Sequence, residues 1–174
     1  MNELIKNDLI KILHTQNEDV SFVVEAERQQ ENAEFIIHWT YEQHEAALDD
    51  EDVLHLRIKD AKNQNIGYAI LKGMTNPNDC IEFMRIVITA KGFGYGKHAI
   101  SLIKKWCFEE KKAHRLWLDV KEDNLRAQHV YESLGFAREG VLRECIKMQD
   151  KYQSLVVMSI LSHEYQTQQE NESR

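Results

Sequence analysis

The chain has 174 residues, 20.5 kDa, one proline and seven glycines; this is the size of one domain that buries a core without disulfide or metal staples, with no proline- or glycine-rich linker. A net charge of −7, a pI near 5.6 and no basic stripe speak against nucleic acid, whose affinity rests on phosphate neutralisation, and suit a cationic amine ligand. Cysteines 80, 107 and 145 fit neither a disulfide framework nor a zinc pair, and neither a signal peptide nor an 18-residue apolar run is present, so a soluble, cytoplasmic protein with no membrane partner is expected.

Residues 3–14 carry an apolar pattern between alternating and helical. Phe22-Val23-Val24 suits a strand or the start of a helix. Over 32–48, Phe35, Ile36 and Trp39 cluster at i, i+1 and i+4, which predicts a helix. Residues 53–59 (VLHLRIK) alternate as a strand does, 60–65 supply a turn, and 65–71 (NIGYAIL) return as the hairpin partner. A loop over 73–79 holds the proline. The next strand spans 80–89, followed by a helix over 95–112 with Ala99, Ile103, Trp106 and Cys107 facing inward. A strand over 115–120 precedes a helix over 124–134, where Ala127, Val130, Tyr131 and Leu134 form one stripe and Gly135 closes the element. Residues 136–144 and 152–161 read as a last pair of strands, joined by a polar turn at 148–151. The tail from His163 is polar and expected to fray. This order predicts an α/β fold of the α+β kind: a mixed, mostly antiparallel sheet flanked by helices, one domain over 1–163 and a polar tail over 164–174.

None of the eight histidines falls in an H-E-x-x-H or i, i+4 pair. His38 and His44 lie six apart, and His98, His114, His129 and His163 are scattered; surface histidines and no metal are expected.

The most informative stretch is Lys91-Gly92-Phe93-Gly94-Tyr95-Gly96-Lys97. It follows the β-branched run Ile86-Val87-Ile88-Thr89 and opens into the amphipathic AISLIKKWCFEE, so it reads as strand, glycine-rich turn, helix N-terminus. The first turn of a helix has backbone N–H groups without intrahelical partners, and glycines there let a phosphate approach the main chain. Spacing excludes a dinucleotide fingerprint, because the last glycine position is Lys97. It excludes a Walker A loop too, because Lys91 and His98 stand where a glycine and a hydroxyl belong. A basic residue, two spacers, Gly94, a spacer and Gly96 remain; the alternative is a bare left-handed turn with no ligand.

Downstream, Asn124 and Tyr131 are seven residues apart and return to nearly the same helix face, about 10 Å apart along the axis. One ligand can touch both. The loop resembles the [QR]-x-x-G-x-[GA] pyrophosphate loop of the GCN5-related N-acetyltransferases (GNAT), with Lys91 in place of Gln or Arg. The run N-x-x-A-x-x-x-Y-x-x-x-G-F from Asn124 is similar to the second acetyl-CoA motif of that superfamily. The resemblance covers roughly 65–161. The acidic-aromatic stretch 31–44 (ENAEFIIHWTYEQH) is similar to the acceptor-side helix of the ribosomal-protein and polyamine branches.

The resemblance implies acetyl-CoA as cosubstrate, with its phosphates at residues 92–97 and its pantetheine arm added like a strand to the edge Ile86-Val87-Ile88. A backbone N–H at Ile86 or Val87 would hold the thioester oxygen. Asn124 would contact the cofactor, and Tyr131 would be the general acid to its sulfur; the alternative for Tyr131 is a core tyrosine. Glu82 is the candidate base, directly or through water. Even spacing puts it on the face of Ile86 and Ile88 in a regular strand, and a β-bulge would reverse that. Glu25, His38 and Glu42 are held in reserve. The expected activity is acetyl transfer to a primary amine, first a small polyamine-like cation, with a protein N-terminus, a ribosomal protein or an aminoglycoside as further acceptors. A non-catalytic acyl-CoA-binding module and a nucleotide-binding protein are the rivals, and the family admits a homodimer.

Overall fold

The computed structural model describes residues 3–29 and 33–173. In chain order the elements are β1 (Glu3–Lys6), β2 (Ile10–His14), a 3-10 turn (Asn17–Asp19), α1 (Val20–Arg28), α2 (Tyr41–Leu48), β3 (Val53–Asp60), β4 (Asn65–Lys72), β5 (Cys80–Ile88), α3 (Tyr95–Glu109), β6 (Arg115–Lys121), α4 (Leu125–Ser133), β7 (Ala137–Met148), β8 (Lys151–Leu161) and α5 (Ser162–Glu172). The strands form one sheet in the order β1-β2-β3-β4-β5-β6-β8-β7. Every pairing is antiparallel except β5 with β6. Among the described residues no helix is long and apolar enough to cross a membrane.

Strand alternation sorts side chains to two faces. On one, Leu54, Leu56, Ile58, Ala69, Leu71, Leu116, Leu118 and Met158 meet Ala99, Ile103 and Cys107 of α3 and Leu134 beyond α4. On the other, Tyr68, Ile70 and Val87 meet Val23 and Ala26 of α1. β4 is buried on both faces, as a central strand must be, which is why its run of 65–71 is almost continuously apolar.

Several elements differ from the sequence expectation. The ambiguous pattern of 3–14 is two strands, and Phe22-Val23-Val24 lies inside α1. Of the helix expected over 32–48, Ala33 is helical and α2 follows from Tyr41, with a turn and bend over 34–36 and 37–40 irregular between them; Asn32 lies outside the described residues. Thr40 starts α2: its Oγ1 accepts from Gln43 N (3.2 Å) while the Gln43 side chain accepts from Thr40 N (2.8 Å), a reciprocal cap that defines a helix start. The tail expected to fray is helix α5. Glu164 accepts from Leu161 N at 2.8 Å, and Tyr165, 4 % exposed, stacks on Phe108 with ring centroids 4.9 Å apart. One buried aromatic anchor docks an otherwise polar helix. The expectation of surface histidines fails for His44 and His55, which are buried.

Two irregularities shape the middle of the sheet. In β5 the register to β4 shifts between Ile70↔Arg85 and Leu71↔Phe83, so Met84 is bulged out of the ladder. β5 pairs with β6 through only three rungs, Cys80↔Arg115 to Glu82↔Trp117, although both strands run on beyond them.

Candidate active site

Beyond Glu82 and Trp117 the two parallel strands part into a fork. β6 stays attached to β8 along its whole length, and β5 to β4 as far as Ile88. The edge of β5 from Phe83 to Ile88 that faces the gap therefore has backbone N–H and C=O groups with no strand partner, which is a template for an added extended chain. A cleft of about 860 Å³ runs through the fork. It is lined by the β5 edge including Ile86, Val87 and Ile88, by Lys91, Gly92, Gly94, Tyr95, Gly96 and Lys97, and by Asn124 and Tyr131. Glu82 and Asp119 complete its acidic lining from β5 and β6. The two motifs read from sequence thus open onto one space.

At one end lies the cradle. Gly94 is the N-cap of α3 with φ +73°, and Gly92 has φ +85°, a left-handed backbone that glycine adopts without cost. A Cβ at either position would meet nothing within 4 Å, so the space over the loop is open. The first turn of α3 carries no acidic residue. With Lys97 exposed beside it and Arg126 on the rim, this end is a fit place for a diphosphate. Phe93, 68 % exposed, stacks on Tyr95 at 5.4 Å between ring centroids. Asn124 caps α4, its Oδ1 accepting from Ala127 N at 3.2 Å, which leaves its amide NH₂ for a ligand.

The chemistry-bearing groups meet at the crotch of the fork. Tyr131 rises from α4 and packs edge-on against Phe136 (5.8 Å). Burial, reinforced by the Asp119 carboxylate, pushes its phenol up to about 12. Glu82 does not share the face of Ile86 and Ile88. The bulge at Met84 reverses the alternation: Ile81, Phe83, Ile86 and Ile88 face the α3 side, while Arg85 and Val87 face α1, and Glu82 goes with them. Asp119, two residues past Glu82's partner Trp117, lies on that same face. The Glu82 carboxyl is raised by burial and by Asp119, against a smaller opposing effect of Lys72; Asp119 itself is raised by burial. Of the reserve candidates, Glu25 is exposed on α1, and His38 and Glu42 line a separate depression beside Trp39.

Reading the sequence missed Asp119, and it missed a wall and a hub on the α1 side. Glu34, Phe35, Ile36 and Ile37 wall the cleft opposite Tyr131. Behind them Glu27, 1 % exposed, accepts from Tyr68 Oη, from Arg85 Nη1 at 2.5 Å and from Trp39 N at 3.0 Å. His44 Nε2 lies 3.1 Å from the same carboxylate but off the line of a good hydrogen bond. The chain continues from His44 Nδ1 to His55 Nε2 (3.1 Å) and from His55 Nδ1 to Thr15 Oγ1 (2.9 Å). Burial raises the Glu27 carboxyl, but the His44 imidazole beside it, the bond from Tyr68, the Arg85 charge and the Trp39 amide outweigh it and bring it down to about 2. The available signal was a glutamate, Glu27, on the inward stripe of Val23 and Ala26. Among the described residues no cluster could hold a metal ion.

Comparison with known proteins places this geometry. The family model described as acetyltransferase (GNAT) matches residues 13–136. The chain is 25% identical over 166 residues to spermidine N(1)-acetyltransferase of Escherichia coli (strain K12), covering 90% of this chain and 88% of that protein. It is 29% identical over 109 residues to the spermidine N(1)-acetyltransferase of Vibrio cholerae, covering 62% and 63%. Spermidine N-acetyltransferase from Vibrio cholerae, solved in complex with CoA and spermine, superposes with a TM-score of 0.82 at 22% identity over 92% of this chain and 99% of that one. A structure of that enzyme described as dodecameric gives 0.79 at 22% identity, over 91% and 97%.

Proposed function

The chain belongs to the acetyltransferase (GNAT) family, and on that premise we propose that it transfers the acetyl group of acetyl-CoA directly to a primary amine of a small polyamine. The observation that carries this reading is the polarity of the cleft. Its cradle end offers Lys97, Arg126 and the open N-terminus of α3; its other end offers Glu34, Glu82 and Asp119, while the two cations that also line that end, Arg85 and Lys121, are engaged by Glu27 and by main-chain carbonyls. An anionic cofactor and a cationic acceptor are therefore drawn to opposite ends of one passage that meet at Tyr131. The names of the curated relatives, spermidine acetyltransferases, support the same acceptor class.

Acetyl-CoA would supply the activated acyl group; the residues do the rest. Gly92 to Lys97 and Asn124 bind, and the free edge Ile86–Ile88 orients an extended arm in the fork. Holding both reactants in one cleft removes most of the entropy cost of their encounter. Glu82, raised by burial and by Asp119, is suited to take a proton from the incoming ammonium, directly or through water. A backbone N–H of Ile86 or Val87 faces developing charge on the carbonyl oxygen. Tyr131, kept protonated by a pKa of about 12, donates to the departing sulfur. We place the protein in the cytoplasm, and we infer self-association: β7 is a 12-residue edge strand exposed along most of its length, and a relative is described as dodecameric.

The test is thiol release from acetyl-CoA across spermidine, spermine, amino acids, aminoglycosides and peptides with free N-termini. Turnover is expected with the polyamines first. Preference for peptides would transfer the assignment to a protein acetyltransferase, and tight CoA binding without turnover on any amine would make the chain a binding module.

A further inference from the structure

The wall opposite Tyr131 has no helix or strand from residue 34 to α2, so its carbonyls lack the partners that a helix or ladder would give. Two of them are satisfied in an unusual way. Ile37 O accepts from Arg85 Nη2 at 2.7 Å, and Glu34 O accepts from Lys121 Nζ. Arg85 belongs to β5 and Lys121 to β6, the two limbs of the fork. Both cations are 8 % exposed. Each also sits by an aromatic ring of the same segment: Arg85 lies 5.0 Å from the centre of Trp39 and Lys121 5.9 Å from that of Phe35.

Burying an ammonium or guanidinium is costly, and a sheet position is filled more stably by an apolar side chain when nothing else is at stake. Here the cost is offset by charge-assisted bonds to main chain, which hold a segment whatever its side chains are. Arg85 is itself fixed, because Glu27 accepts from its other amino nitrogen at 2.5 Å and also accepts from Trp39 N at 3.0 Å. The bulge at Met84 is what turns Arg85 to this side of the sheet.

We propose that residues 34–37 are a strap across the mouth of the fork, tied to its two limbs by Arg85 and Lys121, and that these cations, with Glu27 behind Arg85, are positioning residues that set the acceptor mouth. Arg85 and Lys121 line the cleft, but their cationic ends are committed to the strap's carbonyls, and Glu27 lies buried behind Arg85. They act through the strap, whose Glu34, Phe35 and Ile36 face the cleft. The spacing of the limbs is thereby translated into the shape of the entrance for an amine.

The kinetic part of the inference rests on the acetyl-transfer reading; the structural part does not, and the experiment has an arm for each. In Lys121→Met, which keeps the stem and removes the charge, amide exchange across 33–40 is expected to speed up about tenfold, the scale of one lost charged hydrogen bond. Exchange in α3 should stay unchanged. KM for the amine should rise by a similar factor, with kcat within threefold and CoA affinity intact, and Lys121→Arg should recover most of the loss. The double variant Glu27→Gln/Arg85→Met, which removes both members of the Glu27–Arg85 pair together, should behave alike. Unchanged exchange in the strap, or CoA affinity falling in step with the amine KM, would overturn the proposal. Failure of the wild type to acetylate any amine would sink the functional reading and leave the exchange arm to decide this one.

Discussion

Asp119 stands within electrostatic reach of both groups assigned to proton transfer, since its carboxylate raises Glu82 and Tyr131 alike. Removing that charge should lower both. A base works only when deprotonated, so with Glu82 as the proposed base activity should rise with pH through its pKa; in Asp119→Asn the acid limb of the kcat/KM profile is expected to move to lower pH, read from rates between pH 5 and 8. An unmoved limb would mean that Glu82 is not the base. For Tyr131→Phe, kcat is expected to fall by about 10²-fold or more, the usual weight of a general acid, with CoA affinity little changed, because in the proposed mechanism the phenol donates only as the sulfur departs. Tyr131 and Asn124 were legible in the sequence because their seven-residue spacing is itself a geometric statement about one helix face. Asp119 was not, since nothing in Trp117-Leu118-Asp119-Val120 tells which face of β6 looks into a gap that exists only when β5 and β6 part.

At the scale of elements, the strand, turn and helix over 80–109 were readable because each left a local signature: β-branched residues, glycines, then a 3.6-residue period. The bulge left none, and it decides where Glu82 and Arg85 point. The irregular strap was misread as helix because Phe35, Ile36 and Trp39 mimic a helical period while serving a wall. The open cradle allows a clean test of the turn. At Gly94, φ +73° penalises any side chain through its backbone, about 1–2 kcal/mol, yet a Cβ there touches nothing. Gly94→Ala is therefore expected to fold with a Tm lower by a few degrees, while CoA binding by calorimetry should weaken tenfold or more, because the methyl would stand where the cofactor phosphate is proposed to approach. Undiminished CoA affinity would return the loop to a bare turn.

Across the whole molecule, the acceptor half is folded around one buried ion. Glu27 and its partners join α1, α2, β3, β4, β5 and the end of β2 through Thr15, so protonation anywhere in the chain of contacts is felt by the fold. Burial, then the charge of His44 and, against the opposing Glu27, that of Arg85, hold His55 down to about 3 from its ordinary 6.5. Glu27 lies at about 2 against 4.5. Both folded values lie below the unfolded ones, so the unfolded chain binds more protons in acid and stability is lost as pH falls: through His55 from about 6.5 toward 3, through Glu27 from about 4.5 toward 2. Each group contributes a slope of up to about 1.4 kcal/mol per pH unit in its window, or roughly 3–5 °C of Tm per unit for a domain of this size. Between pH 6 and pH 5 only His55 of this pair is in its window, so Tm should already decline there, above the window of Glu27. Replacing His55 by Gln keeps a donor and an acceptor but cannot take up a proton; calorimetric scans of His55→Gln should show a lower Tm at pH 7.5 and a flatter decline from pH 6 to 5 than the wild type. An equal slope in both proteins would place the acid sensitivity elsewhere and deny the hub its part in holding the acceptor half together.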